Sequence, residues 1–234
     1  MWQAACSRVI PCVGAVIQMR DGSPKVSGAC FAVAKDPLPI FLSCAHVLLD
    51  GHHRAEHPLL LSTGFGQPGS HPPRGVTILA VKPEIDAVLF RAMGEVHCKT
   101  VAFANSTDVA NGLSVAALGC PLPSATEWFV AGADGLATGQ LSVQLRLAAG
   151  WMSQDSAHAR LPETLYTSPD LLHYELNMLG YPGISGGPLF NVSGEVIGMM
   201  RGTKLHAGQQ VAPYAYADRL NEISEFLTEN RTAS

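Results

Sequence analysis

Charge is scarce in this 234-residue chain: 15% of its residues are Asp, Glu, Lys or Arg, against 47% hydrophobic ones. So little charge and so much apolar surface exclude disorder and predict a packed core. The net charge is −4, and no cluster of four or more basic residues occurs. That leaves no electrostatic footprint for nucleic acid or an anionic membrane surface. No apolar run reaches the length of a membrane span, so none is expected. Cysteine stops at Cys120, and no C-x-x-C pair occurs among Cys6, Cys12, Cys30, Cys44, Cys98 and Cys120. A secreted disulfide scaffold spreads bridges through both halves, and a zinc ribbon needs paired cysteines. Free, mostly buried thiols are expected, with a Cys30–Cys44 bridge across a hairpin as the alternative. Arg8 and the following VIPCVGAVIQM loosely resemble a signal peptide, but Pro11 and Gln18 interrupt the apolar run and a cleavage site is lacking. The stretch reads instead as a first β-strand leading into the turn RDGSP. With no disulfide framework and no clear leader, the expected location is the cytoplasm.

Helical periodicity is missing until the end of the chain, and no repeat of 20–50 residues is visible. What is present is a series of short apolar segments broken by Gly, Pro, Asn and Asp. Candidate strands cover 13–19, 28–34, 40–46, 76–82, 86–92, 113–119, 137–147, 172–178, 195–201 and 211–217. Many short strands with turn signals between them indicate a sandwich or barrel. One helix is expected over about 217–229, with Asp218 as its cap and Leu220, Ile223, Phe226 and Leu227 on one face. The segment 51–75, with four histidines (His52, His53, His57 and His71) and four prolines, reads as a long, exposed, irregular connection. His53 and His57 stand at a spacing that can hold a metal. A solvated loop is the plainer reading, so no metal and no organic cofactor are expected.

Near the end stands GYPGISGGPLF, residues 180–190, a serine boxed by glycines. Such a box serves either an α/β-hydrolase elbow or a double-barrel serine protease. The elbow needs Ser, Asp and His in that order, with further βα units. After Ser185 only His206 and Asp218 follow, in the wrong order, and strands do not alternate with helices. The other architecture needs His, Asp and Ser. LSCAHVLL supplies His46 at the end of an apolar strand, EIDAVLF supplies Asp86, and Ser185 comes last.

These motifs resemble those of the trypsin/chymotrypsin-like serine proteases, T-A-A-H, D-I-A-L and G-D-S-G-G-P. SGACFAV, AHVL, VAALGCPL, ATGQLS, PGISGGPLFNVSGEVIGM and PYAYADRL resemble the HtrA-like branch, over roughly residues 13–227. The resemblance implies an all-β fold of two antiparallel six-stranded β-barrels with a C-terminal α-helix. The first barrel would span 9–105 and carry His46 and Asp86. The second would span 112–216 and carry Ser185, with the helix, 217–230, closing it.

The implied activity is that of a serine endopeptidase working through an acyl-enzyme, without cofactor. His46 takes the proton of Ser185, Asp86 orients the imidazole, and the N–H groups of Gly183 and Ser185 form the oxyanion hole. Leu179, Gly180, Met200, Arg201, Gly202 and Thr203 fall where substrate binds. No acid stands at the expected pocket floor, Leu179, which implies apolar P1 residues. The partner is a protein or peptide substrate, bound as an added β-strand along 201–203. Two departures stand out. Ile184 occupies the position where digestive trypsins have an Asp that receives the freed N-terminal amine, so that activation switch is not implied. Arg201 stands near a small family residue that touches the catalytic Asp, and either pairs with Asp86 or points to solvent. A protease-like module that binds peptides without cleaving them is the alternative function.

Overall fold

Two antiparallel barrels of six strands follow one another along the chain. The computed structural model describes residues 2–20, 23–35, 37–50, 55, 59–65, 73–121, 130–131, 137–138, 143–158, 172–206 and 209–231. In the first barrel, β1 (Val13–Arg20), β2 (Ser23–Lys35), β3 (Pro39–Cys44), β4 (Leu59–Ser62), β5 (Arg74–Lys82) and β6 (Ala87–Ala92) close in the order β1-β2-β3-β6-β5-β4. After it come β7 (Ser114–Gly119) and a small hairpin of β8 (Val130–Ala131) and β9 (Ala137–Thr138). β10 (Arg146–His158), β11 (Leu172–Asn177), β12 (Pro188–Asn191), β13 (Val196–His206) and β14 (Gln209–Arg219) follow. With β7 they close as β10-β11-β14-β13-β12-β7. Among the described residues, three α-helices accompany the barrels: α1 (Trp2–Val9), α2 (Ala45–Leu48) and α3 (Leu220–Arg231).

Burial follows the strand patterns. β5 alternates between more and less exposed residues along most of its length, as an outer wall should. β3 and β6 are buried almost throughout, because one face fills the barrel and the other meets neighbouring structure. Phe41 and Phe90 lie opposite each other in register and stack with ring centroids 5.7 Å apart. One apolar cluster runs from the first barrel through α1 to Ala116, Leu118, Phe190, Val196 and Met199 of the second. A separate cluster fills the interior of the second barrel.

The helix at the C-terminus does more than close the second barrel. Ile223, Phe226 and Leu227 join the cluster of the first barrel, and Lys82 of β5 pairs with Glu229 at 3.0 Å. The N-terminus differs from expectation too. Trp2–Val9 is a helix, and the strand begins only at Val13. Ala5 and Val9 are buried, Trp2 meets Phe190 edge-on at 6.0 Å, and Arg8 donates to the Ser193 carbonyl.

Three further expectations change. Within 51–75, Leu59–Ser62 is a strand with Leu59 and Leu61 buried, and β5 begins at Arg74. The histidines at 52, 53, 57 and 71 lie outside the described residues. The strand expected over 137–147 is two residues of β9 and, later, the start of β10, which runs on to His158. Asp218 does not cap the helix; it is fully buried inside β14, and α3 starts at Leu220. Cys30 and Cys44 are separate buried thiols, as expected, and do not form the alternative bridge.

Candidate active site

His46 is not on a strand. β3 stops at Cys44, the chain turns into the four residues of α2, and the Leu49 N–H closes the turn on the Ala45 carbonyl at 2.8 Å. Asp86 follows a 3₁₀ turn over Pro83–Ile85 and takes a left-handed backbone, φ 51°. For a residue with a Cβ this costs on the order of 1–2 kcal/mol. Four contacts hold it there. Its N–H donates to the Pro83 carbonyl at 2.9 Å, and its own carbonyl accepts from Ala45 N–H at 2.7 Å. Its Oδ1 accepts from His46 N–H at 2.9 Å, and its Oδ2 meets His46 Nδ1 at 2.5 Å. A carboxylate only accepts, so Nδ1 carries the proton and Nε2 is left as the acceptor of the ring. The Asp86 side chain is 3% exposed and that of His46 39%, so the ring spans from the interior to solvent.

Ser185 sits in two tight turns. Ile184 N–H donates to the Tyr181 carbonyl at 3.2 Å, and Gly187 N–H to the Ile184 carbonyl at 3.0 Å. Gly183 has φ +93°, and a Cβ there would lie 1.8 Å from the Cys120 carbonyl oxygen. Only glycine fits. Among the described residues, no acceptor meets the N–H of Gly183 or of Ser185. Ile184 is 1% exposed and belongs to the core of the second barrel, packed over Gly119. An apolar anchor therefore stands where digestive trypsins place an ion pair.

The two halves meet along a narrow seam. Ala29 N–H donates to the Ser185 carbonyl at 2.9 Å. The Cys44 thiol donates to the Met200 carbonyl at 3.3 Å, and Gly186 N–H donates to the same carbonyl at 2.7 Å. A Cβ on Gly186 would lie 2.2 Å from Ser43 Oγ, just before α2. His46 and Ser185 thus flank one contact line. The Ser185 hydroxyl donates to the Arg201 carbonyl at 3.0 Å.

Arg201 points inward. Its Nε lies 3.6 Å from Asp86 Oδ2 and its Nη1 3.0 Å from Asp218 Oδ1. His173 Nδ1 is 3.4 Å from the same Asp218 oxygen. Sequence reasoning placed Arg201 beside Asp86 as one of two options and missed Asp218 and His173, which carry no local motif. Cys44 lies in the same region. Burial pushes its thiol well above the usual range, Asp86 and Asp218 push the same way, and Arg201 opposes them. Ligand atoms of Cys44, His46 and Asp86 fall within 4.8 Å of one another, a set a metal ion can bridge. A cation there would compete with Arg201 for Asp86.

The substrate-binding candidates scatter. Leu179 is 58% exposed, too open for a closed pocket floor, and Gly180 is buried. Met200 is wholly buried in the core of the second barrel. Gly202 has open space where a Cβ would stand, and Thr203 pairs through its backbone with Ala215. On its other side, the pairing of β13 with β12 ends at Met199 opposite Pro188. The cavity of about 570 Å³ bounded by Pro11, Lys35, Pro39 and Val96 lies at the opposite end of β3 from His46.

Two closed barrels, a His–Asp pair on the first and a glycine-boxed serine on the second, define the class of trypsin-like peptidases. The sequence signature of the trypsin-like peptidase domain matches residues 28–199, and the chain belongs to that family. No curated protein matches the chain in sequence. Among solved structures, the HtrA-type protease AlgW with a decapeptide is similar at 14% identity and TM-score 0.74, over 99% of this chain and 68% of that one. AlgW with a tripeptide is similar at 15% identity and TM-score 0.70, over 97% of this chain and 62% of that one. The Rv3671c protease in an inactive form is similar at 16% identity and TM-score 0.67, over 97% and 92%. The chain therefore spans about three fifths of the AlgW–tripeptide structure. At these identities the likeness is one of fold. No helix among the described residues is long and apolar enough to cross a membrane.

Proposed function

We propose that the protein is a serine endopeptidase that cleaves peptide bonds through an acyl-enzyme. The observation that carries this reading is the pairing of His46, on α2, with Asp86, just before β6, beside the seam that carries Ser185. In the proposed cycle, the Ser185 hydroxyl rotates from the Arg201 carbonyl towards His46 Nε2, a staggered rotamer change that is fast on the catalytic timescale. His46 takes the proton as the oxygen attacks the scissile carbonyl, then passes it to the leaving amine. Asp86 stabilises the imidazolium, and the N–H groups of Gly183 and Ser185 receive the oxyanion. The peptide adds as a strand along Arg201–Thr203, beyond the end of the β12 pairing. The AlgW structures, which contain peptides, support a peptide ligand. An apolar P1 preference is supported by the absence of an acid in 176–181 and 199–203, and by the engagement of Arg201 with two carboxylates. A peptide library dominated by Lys or Arg at P1 would overturn it.

One observation favours the second reading, a module that binds peptides without cleaving them: the serine hydroxyl is donated to Arg201 rather than to His46. A fluorophosphonate probe separates the two. Labelling of the parent and none of Ser185→Ala supports the enzyme, with peptide hydrolysis falling on the order of 10⁶-fold in that variant. Peptide binding with no labelling of the parent supports the module.

A further inference from the structure

A row of five side chains runs inward from the solvent-facing edge of His46 through Asp86 and Arg201 to Asp218 and His173. The side chains of the last four are at most 5% exposed. Asp86 belongs to the first barrel; Arg201, on β13, and Asp218, on β14, belong to the second. Among the described residues, the charged side-chain link between the barrels at this seam is made by one guanidinium. The same residue accepts the Ser185 hydroxyl at its main-chain carbonyl. Resting on the serine-peptidase reading, we propose that Arg201 is a positioning residue: it pins the aspartate of one barrel to the barrel that carries the serine, and so sets the register between the two halves of the triad.

The chemistry suits arginine. A guanidinium is planar and offers five donors in a fixed fork, so one edge faces Asp86 while another faces Asp218. A serine in its place would serve Asp86 but leave the buried Asp218 without a cation. A lysine is a compact point charge that cannot hold two carboxylates at a fixed separation. Asp218 makes the buried arginine tolerable, since breaking a buried ion pair on one side leaves an uncompensated charge.

The test uses two variants and two readouts. Arg201→Met with Asp218→Asn removes the guanidinium and its remote counter-charge together, so the core is not left with an orphaned ion. Arg201→Lys keeps a cation and loses the fork. Each is compared with the parent protein for kcat and KM on a peptide substrate and for the rate of fluorophosphonate labelling, after a thermal melt establishes folding. The pin predicts kcat and labelling rate lowered on the order of 10²-fold in the double variant, the scale expected when reacting groups shift by about 1 Å. It predicts a smaller loss in Arg201→Lys and KM within about threefold in both. If either folded variant keeps kcat within about threefold of the parent, Arg201 is only structural and the proposal falls. If the parent itself is not labelled, the serine-peptidase reading fails first and removes this role with it. Labelling of the parent therefore separates the two failures.

Discussion

Gly28 tests the seam without replacing any residue placed in the chemistry. It lies on β2, one residue before Ala29, whose N–H holds the Ser185 carbonyl. A Cβ at position 28 would lie 2.8 Å from the Ser185 carbonyl oxygen and 2.7 and 2.8 Å from the two Cγ atoms of Val47, the neighbour of His46. Ordinary carbon contacts begin near 3.5 Å, so the three atoms must retreat by about 0.7 Å. Val47 is 1% exposed and has no free space to take up the motion. Gly28→Ala therefore acts as a wedge between the elements that carry His46 and Ser185. Overpacking of this kind costs roughly 1–3 kcal/mol, or about 2–12 °C in a domain of this size. A sub-ångström separation of base and nucleophile should lower kcat about 10- to 100-fold. KM should stay nearly unchanged, because the strand edge beyond Met199 is untouched. The assay is kcat and KM on a peptide substrate, with a melt to measure the stability loss. A folded Gly28→Ala protein with the parent kcat would refute the idea that this contact line sets the distance from base to serine.

At the oxyanion loop, Gly183→Ala meets both a left-handed backbone and a carbonyl 1.8 Å away. It should lose about 10²–10³ in kcat with the melt shifted as well, and an unchanged kcat would remove Gly183 from the oxyanion hole. Alkali should act through thiols: burial pushes Cys12 up to about 11 and Cys120 to about 12, from an ordinary value of 9.0. These folded values lie above the unfolded one, so stability is intact below pH 9 and declines as pH rises through 11 and 12, on the order of 3 kcal/mol per thiol. Urea midpoints across that range measure it, and a Cys12→Ala, Cys120→Ala protein with an equally steep decline would disprove the assignment.

The site residues were legible because each has a local signature. His46 follows an apolar run interrupted only by Ser43, Asp86 precedes an unbroken one, and Ser185 stands among glycines that close turns. What the sequence hid is non-local or short. α1 offers two turns, with Trp2, Ala5 and Val9 on one side, before Pro11 ends the pattern; packing on the second barrel, not propensity, makes it a helix. β10, RLAAGWMSQDSAH, has no β-branched residue, and becomes a strand because β7 and β11 flank it. Asp218 reads as a helix cap because Leu220 follows. Its true partner, Arg201, lies 17 residues upstream on β13, and only the register Met199↔Asp218 brings them together.

The same non-local terms explain how the site keeps its shape with neither an N-terminal ammonium partner at position 184 nor a disulfide among the described cysteines. The serine loop needs an anchor on each side. On the side of its own barrel, burying Ile184 contributes roughly 1.5–3 kcal/mol and needs no partner charge. On the side of the first barrel, Ala29 and Cys44 supply hydrogen bonds, each worth about 1 kcal/mol. These are small against the apolar seam that runs from Val16 and Leu61 through Phe190 to Phe226. The seam sets how far the barrels stand apart, because apolar burial is large but has no direction. In the proposed enzyme, the hydrogen bonds and Arg201 set where along that interface His46 faces Ser185, because they are weak but directional. Rigidity and register thus come from different residues, and a change that loosens one need not disturb the other.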